Sequence, residues 1–132
     1  MVLMEWNAGL VLGVASMDKE HQDLVAAMNR VHDLATQKAD KRTVDVALLH
    51  LVQLTKKHFA DEEQHMERIG FEGRRIHARI HEDLLEKVGT HYAAFQAGDG
   101  TVPQAFFDFL VHWLRAHILG IDRKYAQVPV PK

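Results

Sequence analysis

The sequence predicts an all-α protein, an up-down-up-down antiparallel four-helix bundle with an N-terminal arm. Three observations carry that expectation. Apolar residues recur at helical spacing through four stretches, each bounded by capping or breaking residues. Nothing in the 132 residues alternates like a strand, repeats internally or falls into low complexity. The stretches are separated by short connections, and short connections make successive helices antiparallel neighbours.

Residues 1–17, with Trp6 and alternating glycine and apolar positions, read as an arm packed on the bundle. The first helix is expected over about 18–38, with Asp18 offering an N-cap and Leu24, Val25, Met28 and Val31 forming the stripe. A second, about 41–69, can be capped by Asp40 or Thr43. Its stripe runs Val44, Leu48, Leu51, Thr55, His58, Glu62, Met66 and Ile69, and Gly70 stops it. The third, about 73–97, carries Ile76, Ile80, Leu84, Val88, Tyr92 and Phe95 before Gly98-Asp99-Gly100. Thr101 and Pro103 make a cap and first-turn pair for the fourth, about 102–126, whose stripe is Phe106, Leu110, Trp113, Leu114, His117 and Ile121. The closing Val128-Pro129-Val130-Pro131-Lys132 cannot continue a helix. One domain over 1–132 is expected, large enough to bury a single core.

Bulk properties narrow the function. Hydrophobic residues at 47% and charged residues at 26% are those of an ordinary globular protein. The net charge is −2 and basic residues are scattered, so a nucleic-acid surface is unsupported. No apolar run approaches the ~20 residues that span a bilayer, so no membrane insertion is expected. Residues Met1 to Leu12 lack a basic region and a cleavage site, which argues against a signal peptide and for the cytoplasm. Cysteine is absent, so any metal must be held by nitrogen and oxygen. Histidine, with ten residues, is in excess.

The excess has a pattern: His21, His58-x-x-x-Glu62, His77-x-x-x-His81 and His117-x-x-x-x-Asp122. Residues four apart on a helix stand ~40° apart around the axis and ~6 Å along it, so both can address one site. His21, His77 and His81 lie near helix starts, whereas His58, Glu62, His117 and Asp122 lie near helix ends. In an up-down-up-down bundle those positions all meet at one end of the molecule. Five imidazoles and two carboxylates there are a complete ligand set for two metal ions. Two octahedral ions sharing two carboxylates and one oxide or hydroxide need six further ligands. Five histidines fill all but one, leaving a position for a small molecule. Nitrogen and oxygen ligands in this geometry suit iron better than calcium, magnesium or tetrahedral zinc, while spacing alone leaves manganese open. The five residues from His117 to Asp122 turn ~140° on a regular helix, so a π-type turn or a loosening near Gly120 is expected.

The chain resembles the bacteriohemerythrins, single-domain relatives of the hemerythrins of marine invertebrates. The likeness runs through Trp6, Met17-Asp18-Lys19-Glu20-His21, His58-Phe59-Ala60-Asp61-Glu62-Glu63, Gly70-Phe71, His77-x-x-x-His81, Trp113-Leu114-x-x-His117-Ile118 and Asp122-x-x-Tyr125. Myohemerythrin is itself a known up-down bundle, so resemblance and architecture are not independent inferences. The resemblance implies two iron ions with a bridging oxo or hydroxo group. His77, His81 and His117 would hold the saturated iron, His21 and His58 the iron with the open position, and Glu62 and Asp122 would bridge. It also implies a dioxygen pocket of Leu24, Phe59, Trp113, Leu114 and Ile118. The expected function is reversible, non-enzymatic dioxygen binding for storage, delivery or scavenging. The alternatives are a peroxidase-like or nitric-oxide-reducing enzyme, a sensor, or iron storage. Abundant imidazole and only two carboxylates argue against oxidation chemistry. A monomer is the default, and no protein partner is identifiable.

Each motif alone has a simpler reading, since a lone histidine or a His-x-x-x-His pair is commonly solvated. His32, His50, His65, His91 and His112 are kept as structural or exposed residues, being too far along their helices or on another face. Phe106, Phe109, Leu110, Met28 and Met66 are read as core, and Lys56-Lys57 and Arg74-Arg75 as solvated faces.

Overall fold

The computed structural model describes residues 3–126. Four long helices dominate: α1 (Ala15–Thr36), α2 (Lys41–Arg68), α3 (Arg74–Ala97) and α4 (Gln104–Ala116). Helix α4 runs on into a π-helical segment, His117–Asp122, and a last turn, α5 (Arg123–Ala126). There is no strand among the described residues. The chain forms a four-helix bundle, with α2 packed between α1 and α3. Leu24, Met28, Val31, Leu48, Leu51, Phe95, Phe106, Leu110 and Leu114 fill its centre. No helix among the described residues is long and apolar enough to cross a membrane.

The helix ends follow local chemistry. Asp40 caps α2 by accepting the Thr43 amide at 2.8 Å. The end of α2 is closed by Gly70 at φ +68°, where Gly70 N donates to Glu67 O (3.1 Å) and Phe71 N to Met66 O (2.9 Å). Lys38 takes the equivalent left-handed position after α1, at φ +58°. Lys41 Nζ reaches Gln96 O and Gly98 O, both at 2.7 Å, and so satisfies carbonyls at the end of α3.

Three expectations need correction. Helix α1 begins at Ala15, not Asp18, because the Asp18 carboxylate is engaged elsewhere: it accepts Leu12 N (2.8 Å) and Gly13 N (3.1 Å) and ties the arm to the bundle. Helix α4 begins at Gln104 with Pro103 as its cap, and Thr101 makes no capping bond. Ile76, expected in the stripe of α3, is 72% exposed. The buried line of α3 is His77, His81, Val88 and Phe95, so the histidines set its rotation.

The arm, which gives way to α1 at Ala15, contacts the bundle at several points. Asn29 pairs with the Met4 backbone through both amide atoms, at 2.9 and 2.8 Å, and Met4 and Leu10 are buried in the main core. Arg123 donates to Gly9 O at 3.1 Å, joining the arm to the last turn. The Val128–Lys132 stretch lies outside the described residues.

Candidate metal centre

All seven predicted side chains meet at one end of the bundle, and none is more than 4% exposed. His21 lies in the second turn of α1, and His58 and Glu62 in the second half of α2. His77 and His81 come from the first two turns of α3. His117 and Asp122 bound the π segment, with Gly120 inside it. A π turn closes i→i+5, so residues five apart stack one above the other, and Asp122 joins His117 inside. That was the expected irregularity.

The donor atoms divide into two groups. One ligand atom each from Glu62, His77, His81, His117 and Asp122 lie within 4.8 Å of one another, and so do atoms from His21, His58, Glu62 and Asp122. The two carboxylates belong to both groups, and each splits its oxygens between them. Glu62 Oε1 lies 2.9 Å from His77 Nε2 and 2.8 Å from His81 Nε2, while Oε2 lies 3.2 Å from His58 Nε2 and 3.6 Å from His21 Nε2. Asp122 Oδ1 lies 2.9 Å from both His77 Nε2 and His117 Nε2, while Oδ2 lies 3.0 Å from His21 Nε2.

These contacts fit cations better than hydrogen bonds. His21 Nε2, His58 Nε2 and both Asp122 oxygens are buried without an aligned hydrogen-bond partner, despite their short separations. Leaving such atoms unpaired in the interior is costly. The Nε2 atoms of His77 and His81 each stand 3.2 Å from His117 Nε2, so three ring nitrogens converge on one point. Neighbouring donors around a small ion with bonds of about 2.1 Å are about 3 Å apart, so the spacing suits a shared metal.

The electrostatics agree. Burial opposes charge on His58, but its hydrogen bond to Glu20 and the adjacent Glu62 carboxylate outweigh it and push the imidazole up to about 9. His117 reaches about 9 in the same way, through Asp122 and Glu62. Burial also opposes charge on His21 and His77, and the same two carboxylates raise both. Burial would raise Glu62, yet the close imidazoles of His117, His21, His58 and His77 hold it well below the usual carboxylate range. Asp122 is lowered by His117, His21 and His77 against burial and the charge of Glu62. The two carboxylates thus favour positive charge at this point, which a bound cation would supply.

Comparison with known proteins agrees with this geometry. The hemerythrin HHE cation binding domain matches residues 12–128. The chain belongs to the hemerythrin family. It is 31% identical over 126 residues to a bacteriohemerythrin of Stenotrophomonas maltophilia, covering 96% of this chain and 81% of that one. It is 33% identical over 120 residues to a myohemerythrin of Riftia pachyptila, covering 91% of this chain and 88% of that one. A crystal structure of a hemerythrin point mutant superposes with a TM-score of 0.89 at 26% identity, covering 97% and 98% of the two chains.

Within this hemerythrin domain, three groups support the cluster without belonging to it. Glu20 Oε1 lies 2.7 Å from His58 Nδ1, and Glu63 Oε2 lies 3.3 Å from His81 Nδ1. Such partners place the proton on Nδ1 and leave Nε2 free as a ligand. Lys57 steadies the first of them, 3.6 Å from Glu20 Oε2 and 2.7 Å from Asp61 Oδ2. The Tyr125 hydroxyl donates to Glu62 Oε2 at 3.0 Å. All three stand inside the hemerythrin motifs, yet spacing alone assigns them no role, because Glu20 and Tyr125 reach partners on another helix.

The five predicted pocket residues, Leu24, Phe59, Trp113, Leu114 and Ile118, are all buried members of the main core. Phe59 stacks flat on His81, with ring centroids 3.8 Å apart, and Trp113 meets Phe59 edge-on at 5.8 Å. Leu24 and Leu114 stand about one turn from His21 and His117 on their own helices. The remaining histidines stay out of both donor groups. His50 and His112 are exposed. His32 packs against Phe107, His91 against Phe106 and Phe109, and His65 against Tyr125.

Proposed function

We propose that the chain binds dioxygen reversibly at a di-iron centre, for storage, delivery or scavenging. The observation that carries this reading is the division of the donor atoms, with Glu62 and Asp122 each turning one oxygen to either group. His77, His81 and His117 would hold one iron, His21 and His58 the other, and the two carboxylates would bridge them. The count leaves the two-histidine side one ligand short, and a small molecule can enter there. A bound iron pair supplies the two electrons that dioxygen takes up and returns.

The chain's own residues explain why binding rather than oxidation is favoured. Five neutral imidazoles and two carboxylates give a less anionic ligand set than the carboxylate-rich oxidising di-iron bundles, and anionic charge is what stabilises high oxidation states. Glu20 and Glu63 fix imidazole orientation from outside the cluster. Leu24, Phe59, Leu114 and Ile118, all buried and apolar, would wall the open side, offering it no acid side chain and keeping water out. Loading with ferrous iron under argon should give two irons per chain, and an oxygen electrode should then record one dioxygen taken up per iron pair.

The wall supplies its own prediction. Leu114→Ser shortens the side chain and introduces a hydroxyl beside the open side, so water enters and oxidation to the inert ferric form accelerates. The rate is read as loss of the oxygenated absorbance in air-saturated buffer. An unchanged rate, with two irons retained, would remove Leu114 from the gating role.

A further inference from the structure

The hydrogen bond from Tyr125 is aimed at one half of the centre only. Its hydroxyl donates to Glu62 Oε2, the oxygen that faces His58 and His21, while Oε1 faces the three-histidine group. The ring has no solvent exposure and is held by Met17, Met66 and Ile69, with His65 and His77 packed at 5.4 and 5.8 Å. A phenol so placed cannot turn to water, and its only acceptor within hydrogen-bond distance among the described residues is the carboxylate.

The geometry points to Tyr125 as a positioning residue that tunes the two-histidine side through Glu62. The inference rests on the di-iron reading. A carboxylate oxygen that accepts a hydrogen bond gives less electron density to a metal, and outer partners of this kind commonly shift metal properties about 10-fold or more. On the two-histidine side this withdrawal favours the ferrous state. It acts most strongly there, because Oε1 receives no phenol. The helix turn that brings Tyr125 inward follows directly on the π segment, so one irregularity delivers both Asp122 and the donor to Glu62.

The test uses the full chain loaded with iron. Tyr125→Phe should retain two irons per chain, show a lower reduction potential, and oxidise in air about 10-fold faster. Because the chain has two tyrosines, biosynthetic fluorotyrosine in a Tyr92→Phe background alters Tyr125 alone without removing its ring. More acidic fluorinated phenols are stronger donors, so potential should rise and air oxidation slow in step with phenol acidity. A purely structural role would not yield that graded series. Two irons per chain with a flat series would overturn the role of Tyr125 and leave the di-iron reading intact. Failure of the parent chain to bind two irons would overturn both. Should Tyr125→Phe not fold, the fluorotyrosine series still decides.

Discussion

Glu62→Gln is expected to cost the protein both metals. Among the described residues, Glu62 is the one side chain whose two oxygens lie within 3.6 Å of Nε2 of all five histidines. An amide keeps the shape but turns a bridging anion into a neutral group with a donor nitrogen facing imidazole nitrogens. Loss of affinity should exceed the roughly 100-fold that follows loss of an outer partner. The metal-free protein should suffer as well. Asp122 and Glu62 hold the pKa of His21, His77 and His117 up against burial, and breaking a buried ion pair by removing one member costs about 3–5 kcal/mol. Metal assay after dialysis, with denaturant unfolding of the metal-free variant, reads both effects. Retention of two metals by Glu62→Gln would refute the bridging role.

The second large effect concerns register in the π segment. Deleting Gly120 shortens the His117-to-Asp122 spacing to four, which on a regular α-helix again places the two residues ~40° apart. The deletion should convert the π turn to α-helix, keep the aspartate and Tyr125 inside, and retain both metals. An alanine inserted after Gly120 instead carries Asp122 off the inner face and should lose at least one metal per chain. Gly120 has open space around it, so neither change meets a packed wall. Metal content and helical circular dichroism of the two variants check this. If deletion empties the centre while insertion spares it, the register account fails.

The architecture and the gathering of the histidines and carboxylates at one end of the bundle were legible for a shared reason. Apolar spacing reports helix faces, and the positions of the ligands along their helices report which end they occupy. The five-residue step from His117 to Asp122 was informative because it contradicts α-helical geometry. Legibility ended where long-range contacts take over. Asp18 has the form of a cap, yet its carboxylate is claimed by the arm. Ile76 continues an apolar stripe, yet burying His77 and His81 rotates it outward. Glu20 and His58 are 38 residues apart and meet only because α1 and α2 run side by side. The separation of carboxylate oxygens between two donor groups is a matter of side-chain direction, on which spacing is silent.

The central claim is a centre that takes up dioxygen and gives it back. Its most direct test is the visible spectrum of the iron-loaded protein through successive cycles of air and argon, with iron assayed before and after. The account predicts two irons per chain, a colourless reduced state, colour in air, and bleaching under argon that repeats over several cycles. Colour that persists under argon after the first exposure, accompanied by release of hydrogen peroxide, would show irreversible oxidation and contradict it.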